Sequence, residues 1–207
     1  MSTLLIFPCN GNAVEALDCL VGSGYQLLGF VDDTPAKQGT APYGHAVHGR
    51  AAFARWADAE VLAVPGSAAT YASRRALIEG LGLDPRRFAT LVHPAARVSP
   101  LASIGRNVLI LAGAVVTSNA VIGDHVCVLP NSVIHHDVRI GAWSLIGANV
   151  TVAGHTTIGE RCYVGSGSSV MNGLDIGDGA LIGMGSNVIR SVAADARVAG
   201  NPARPIA

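Results

Sequence analysis

From residue 98 onward, one residue in every six is valine or isoleucine. The series runs Val98, Ile104, Ile110, Val116, Ile122, Val128 and on without a gap to Val188, sixteen positions in all. Glycine follows eight of them (Gly105, Gly123, Gly141, Gly147, Gly159, Gly165, Gly177, Gly183). Four residues after each comes Ala, Ser, Thr, Cys, Val or, once, Leu (Leu174). A six-residue repeat of this kind predicts a parallel β-helix. Three hexads close one triangular lap of 18 residues, and laps stack at the strand spacing of about 4.8 Å. The branched residue points inward, the small one fills the space beside it, and glycine eases the corner. Sixteen hexads make a little over five laps. No hexad is interrupted, so no long loop is expected between Val98 and Val188. A core of stacked small branched side chains also accounts for an aromatic content of only 5% in a chain that is 50% hydrophobic.

Residues 1–92 follow another rule. Apolar runs Leu4–Phe7, Leu27–Val31 and Val61–Val64 alternate with helix-like stretches, Ala13 to Val21 and Ser67 to about Glu79, the second with Ser67 as N-cap. Phe88 to Val92 reads as a last strand. Alternating strands and helices imply a parallel sheet with crossovers. The expected division is therefore a small α/β, Rossmann-like domain at 1–92 and an all-β parallel β-helix at 93–207.

Composition excludes several roles. The 14 basic residues balance 14 acidic ones, so there is no electrostatic footprint for nucleic acid or an anionic membrane. No run of 18 apolar residues predicts a membrane span. Met1–Pro8 lacks a basic stretch and a cleavage site, so it does not read as a signal peptide. Cys9, Cys19, Cys127 and Cys162 form no CxxC pair and read as reduced thiols of a cytoplasmic protein. Arg74, Arg75, Arg86 and Arg87 read as solvated helix and loop charges.

Because residues 18 apart stack, the repeat also says which side chains are neighbours. At Ile134-His135-His136-Asp137, two histidines and an aspartate stand where the repeat favours glycine. One lap later come Gly154 and His155, so His136 stacks beside Gly154 and Asp137 beside His155. An imidazole, a carboxylate and an unhindered backbone N–H suit acyl transfer: base, orienting group and oxyanion donor. The plain alternative is a solvated corner. A zinc site is another reading, since His is the commonest metal ligand. The γ-class carbonic anhydrases use such a prism with two His two laps apart, and His125, His135, His136 and His155 include no 36-residue pair. No metal is expected. In the N-terminal half, the turn Cys9-Asn10-Gly11-Asn12 opens a helix, and Asp32-Asp33 follow Gly11 by about 20 residues, where nucleotide-binding domains place an acid for a ribose hydroxyl. A helix cap and a turn explain the same residues equally well.

The order of parts carries a resemblance. A short Rossmann-like region ending in Phe88-Ala-Thr-Leu-Val-His-Pro94, hexads enclosing Ser132-Val-Ile-His-His-Asp137, and a closing Val198-Ala-Gly-Asn-Pro-Ala-Arg204 resemble the bacterial nucleotide-sugar acetyltransferases. These are the N-acetyltransferases of the bacillosamine and perosamine pathways and, more widely, the sialic acid O-acetyltransferases. The resemblance implies a left-handed β-helix, a homotrimer, and acetyl-coenzyme A in the groove between neighbouring prisms. It implies His136 as catalytic base, Asp137 as its acidic partner and the Gly154 N–H at the thioester oxygen. Further coenzyme contacts fall near Leu145, Ser166, Gly183, Met184 and the tail Gly200-Asn201-Pro202, with His155 beside Gly154. Nucleotide-sugar contacts fall at Gly11, Asn12, Asp32, Asp33 and Gly66. Two positions depart from the pattern: Asn12 and Leu145 stand where family members carry histidine. The expected activity is acetyl transfer from acetyl-coenzyme A to an amine of a nucleotide-linked deoxyamino sugar. O-acetylation of a sugar hydroxyl, transfer to another small amine, and a non-catalytic trimeric scaffold or sensor are the alternatives.

Overall fold

A computed structural model describes residues 2–206. Four parallel strands, β1 (Ser2–Phe7), β2 (Tyr25–Val31), β3 (Val47–His48) and β4 (Glu60–Ala63), form one sheet in the order β3-β2-β1-β4. Leu4, Leu5, Ile6, Val61 and Leu62 are fully buried, as strands covered on both faces require. At Gly29, β2 bulges against β1, with φ of 143°. A Cβ there would stand 2.5 Å from the Ala46 carbonyl oxygen, so only glycine lets β3 close on β2.

The helices are shorter than the apolar spacing predicts. α1 (Gly11–Glu15) is capped by the Asn10 side chain, which accepts from the Ala13 N–H, and tightens into a 3-10 stretch through Leu20. α2 (Ala51–Arg55) is one turn and a half. Ser67 does not cap a helix running to Glu79. It closes a turn with Thr70, and α3 begins only at Arg74 (Arg74–Glu79). The expected strand Phe88–Val92 divides: Phe88 bridges to Val61, whereas Leu91–Val92 pairs with Leu109–Ile110 and starts the β-helix.

From there the chain winds as a left-handed parallel β-helix of three sheets. The register follows the repeat: Val121 pairs with Arg139, Cys127 with Leu145 and Val133 with Thr151, each 18 residues on. The last lap is shorter, Leu181 pairing with Arg197, before the tail folds back as an antiparallel pair, Val198 with Pro205. The Val/Ile series from Ile110 to Val188 is buried inside the prism. Each such side chain contributes about 1.5–3 kcal/mol through burial. Val98 and Ile104, at the open lower end, are only partly covered. The small-residue position takes serine or threonine for a further reason. Buried Ser132 donates to the Gly147 carbonyl and accepts from the Val150 N–H, and Ser144 repeats this with Gly159 and Cys162.

The two parts share a core. Leu109, Leu111, Cys127 and Leu145 on one prism face pack with Leu4, Ile6, Leu62 and Val64. Two polar residues lock the junction. Asn107 is fully buried; its carbonyl accepts from the Ala63 N–H at 2.7 Å, and its amide donates to the Ala63 carbonyl at 2.7 Å and to His125 Nδ1 at 2.9 Å. Arg74 is no solvated charge. It is fully buried and donates to the carbonyls of Pro65, His125 and Trp143. Arg87 likewise donates to the Phe53, Trp56 and Ala59 carbonyls. Bringing these carbonyls together is a tertiary event, which is why local pattern reads both arginines as surface.

Removing the Asn107 amide strands buried groups of Ala63. Asn107→Ala is expected to cost about 1–3 kcal/mol and to lower the melting temperature by several degrees. An unchanged thermal midpoint contradicts the lock.

Candidate active site

The corner between strands Val133–Ile134 and Arg139–Ile140 carries His136 and Asp137. Its third slot is a left-handed turn position that recurs along the prism. Asn107, Asn119, Asn131 and Asn149 occupy it elsewhere, as do His125, Trp143 and Arg161, and Asp137 (φ 60°) and His155 (φ 59°) occupy it here. Asn, Asp and His tolerate this region better than other side chains, so local backbone chemistry admits these residues at the corner. The backbone ladder fixes the laps against each other: the Asp137 N–H donates to Ser118, and the His155 N–H to His136.

Side chains complete the set. His136 Nδ1 lies 2.8 Å from Asp137 Oδ2. Asn119, one lap before, donates to the other carboxylate oxygen at 3.1 Å. The imidazole and then Asn119 hold the Asp137 carboxyl below its ordinary pKa. An ionised Asp137 at Nδ1 fixes the proton on that nitrogen and leaves Nε2 with its lone pair. The ring lies against Gly154, where a Cβ would stand 2.7 Å from Cε1 and 2.8 Å from Nε2. Any larger residue at 154 displaces the imidazole. No acceptor among the described residues takes the Gly154 N–H. His155 stands edge-on to His136 with ring centroids 5.0 Å apart, its Nδ1 3.9 Å from Asp137 Oδ2. His136, Asp137 and His155 also form a group able to hold a metal ion, with donor atoms within 4.8 Å of one another.

The expected coenzyme contacts divide. Ser166 and Met184 stack one lap apart at the neighbouring corner, after strands Tyr163–Val164 and Leu181–Ile182, with Met184 largely exposed and Gly183 beside it. The tail residues Gly200, Asn201 and Pro202 lie on the surface above, the Gly200 N–H donating to Ser186. Leu145 does not join them. It is 3% exposed in the domain junction, its Cδ1 lying 3.0 Å from where a Cβ at Gly66 would stand. A leucine on a face covered by the N-terminal sheet is buried by apolar contact and cannot line a solvent groove.

The N-terminal residues divide as well. Gly11, Asn12 and Gly66 meet with Asn10, Ser67 and Thr70 around a cleft of about 400 Å³. Asn10 and Gly11 continue into a second cleft of about 560 Å³, walled by Val14, Lys37, Pro42, Tyr43 and Val47. Asp32 lines neither cleft. It is 3% exposed, and its carboxylate accepts from the Cys9 and Thr34 N–H groups and from Lys37. Burial raises its pKa, but Lys37 and Thr34 outweigh that and leave it below the ordinary value. Asp33 points elsewhere, pairing two-pronged with Arg50 at 2.7 and 2.8 Å. Asp32 thus orders the turn behind Cys9 and, with the Cys9 carbonyl, holds the Lys37 ammonium, while the Lys37 side chain lines the second cleft. Sequence reasoning missed Lys37 and Asn119. The 18-residue offset from Asp137 was available for Asn119; nothing local marks Lys37.

The carboxyl resonance of Asp137 is expected to titrate below the usual carboxylate range in a pH series by NMR, since both partners favour its charged form. In His136→Ala and Asn119→Ala it moves up. An ordinary value in the unaltered chain contradicts the pairing.

The family "Bacterial transferase hexapeptide (six repeats)" matches residues 101–136, 119–154 and 155–190. Among solved structures, the acetyltransferase domain of PglB from Neisseria gonorrhoeae is 27% identical over 100% of both chains, with a TM-score of 0.86. PerB from Caulobacter crescentus, solved with CoA and GDP-perosamine, is 25% identical over 100% of this chain and 98% of that one, with a TM-score of 0.87. WeeI from Acinetobacter baumannii is 25% identical over 100% of both, with a TM-score of 0.85. No curated protein matches the sequence. Residues 101–190 thus carry the bacterial transferase hexapeptide repeats, and the chain is similar along its full length to the PglB acetyltransferase domain and to PerB.

Proposed function

We propose that this chain moves an acetyl group from acetyl-coenzyme A to the amine of a nucleotide-linked deoxyamino sugar. The observation that carries the reading is the His136 imidazole, held by Asp137 at Nδ1 and laid on Gly154 with Nε2 free. PerB, solved with CoA and GDP-perosamine, and the PglB domain, solved with acetyl coenzyme A, are similar to this chain along its full length.

The steps follow from the groups present. The sugar amine attacks the thioester carbon, and a carbon–nitrogen bond forms. His136 Nε2 takes the amine proton, and the Asp137 carboxylate offsets the charge on the ring. The Gly154 N–H stabilises the oxyanion of the tetrahedral intermediate. The carbon–sulfur bond then breaks, the His136 imidazolium gives its proton to the departing sulfur, and the coenzyme leaves as its thiol. These steps are written without a metal ion.

In this reading residues 1–92 hold the nucleotide sugar through Gly11, Asn12, Gly66 and Lys37, and residues 93–207 hold the coenzyme. The His136–Gly154 corner and the Ser166–Met184 corner are different edges of one prism, separated by the face bearing strands Val133–Ile134 and Thr151–Val152. They converge on one coenzyme when a second copy sets its own corner opposite, which favours a homotrimer. The four unpaired thiols, among them Cys19 pushed up to about 12 and Cys162 to about 11 by burial, fit a reducing cytoplasm and take no part in the chemistry.

The test is release of free thiol from acetyl-coenzyme A with a panel of nucleotide-linked 3- and 4-amino sugars. At least one amine is expected to respond, and His136→Ala to lose about 10²–10⁴-fold in kcat while still binding the coenzyme. Full turnover by that variant overturns the base assignment. A response confined to hydroxyl acceptors overturns the amine.

A further inference from the structure

The proposed chemistry uses one imidazole and one carboxylate, yet Asp137 faces two imidazoles. His136 Nδ1 lies 2.8 Å and His155 Nδ1 3.9 Å from the same oxygen, Oδ2. The left-handed turn explains why a residue such as His can stand at 155, but asparagine satisfies that backbone equally well at 107, 119, 131 and 149. It does not explain a ring turned toward the carboxylate. The His155 ring makes no hydrogen bond among the described residues, so its lone pair is available. Together the three side chains bring donor atoms within 4.8 Å of one another.

We propose that His136, Asp137 and His155 form a three-ligand site for a late first-row divalent cation, Zn²⁺ above all, and that the ion competes with the proton for His136. Two imidazoles and a carboxylate with an open fourth position are a donor set that zinc accepts. At metal–ligand bonds of about 2.0–2.2 Å, tetrahedral ligands stand about 3.3–3.6 Å apart, so side-chain rotation must open the His136–Asp137 pair from 2.8 Å and draw His155 in from 3.9 Å. His136, Asp137 and His155 have side-chain exposures of 53%, 37% and 66%, which leaves room for that rotation. Asn119 holds the second carboxylate oxygen at 3.1 Å, an outer-shell contact that orients the ligand. The His155 N–H on the His136 carbonyl fixes the distance between the two laps. A bound ion takes the nitrogen lone pair and the carboxylate that the base needs. It is therefore an inhibitor. The inhibition rests on the reading of His136 as the base; the binding does not.

The experiment uses the full chain freed of metal by chelation, with no substrate present. Zn²⁺ is titrated by calorimetry, and Co²⁺ is followed by its visible absorption. One ion per chain is expected, with Co²⁺ bands of a tetrahedral or five-coordinate site. His155→Ala and Asp137→Asn are each expected to weaken binding by about tenfold or more, with size-exclusion elution showing that both variants stay folded. Absence of saturable binding, or affinity unchanged in both variants, overturns the site. In a separate arm, acetyl transfer by the unaltered chain is expected to fall in step with Zn²⁺ occupancy and to return on adding EDTA. Occupancy without loss of transfer overturns the inhibition and leaves the ion site standing. A chain that transfers no acetyl group still decides the site through the calorimetric arm.

Discussion

The structure depends on one constraint: each prism strand hydrogen-bonds to the strand 18 residues on, without a slip, from Leu91 to Leu181. The ladder leaves no freedom in which residues are neighbours. A one-residue slip would turn every inward Val or Ile out to solvent. The stacked branched core therefore penalises any shift that would part His136 from Gly154. The geometry of the candidate site is held by the same contacts that stabilise the fold, and no loop has to be ordered to assemble it.

Glycine at 154 shows how little room that leaves. The imidazole fills the space that a side chain there would occupy, so the vacancy at one lap is the seat for the group from the lap before. Asp137 reaches the same ring from a backbone conformation that recurs at each corner from Asn107 to Gly185. The pair thus joins a structural habit of the repeat with a chemical use of it.

This explains what was legible. Register follows from periodicity, so the prism, its buried series and the stacking of His136 on Gly154 and of Asp137 near His155 could be read from residues alone. The same arithmetic would have revealed Asn119 under Asp137. Long-range contact is what spacing could not supply. Arg74 looked like a surface charge on a helix, and only the meeting of Pro65, His125 and Trp143 gives it a buried place. Asp32 has the sequence offset of a ribose ligand, but the turn at Cys9 and the approach of Lys37 occupy its oxygens. Leu145 lies on the one prism face that the N-terminal sheet covers, a fact of domain docking that no hexad records.

The N-terminal part adds what the prism lacks, a pair of connected clefts beside the junction, lined by Asn10, Gly11, Gly66 and Lys37. Shared core and buried polar locks keep those clefts in a fixed relation to the prism. The most direct test of the whole account is a crystal structure of this chain with coenzyme A. The sulfur is expected beside His136 Nε2 and within reach of the Gly154 N–H, with the rest of the coenzyme along the Ser166–Met184 corner of a second copy. A coenzyme bound on another face, or a sulfur remote from His136, would contradict it.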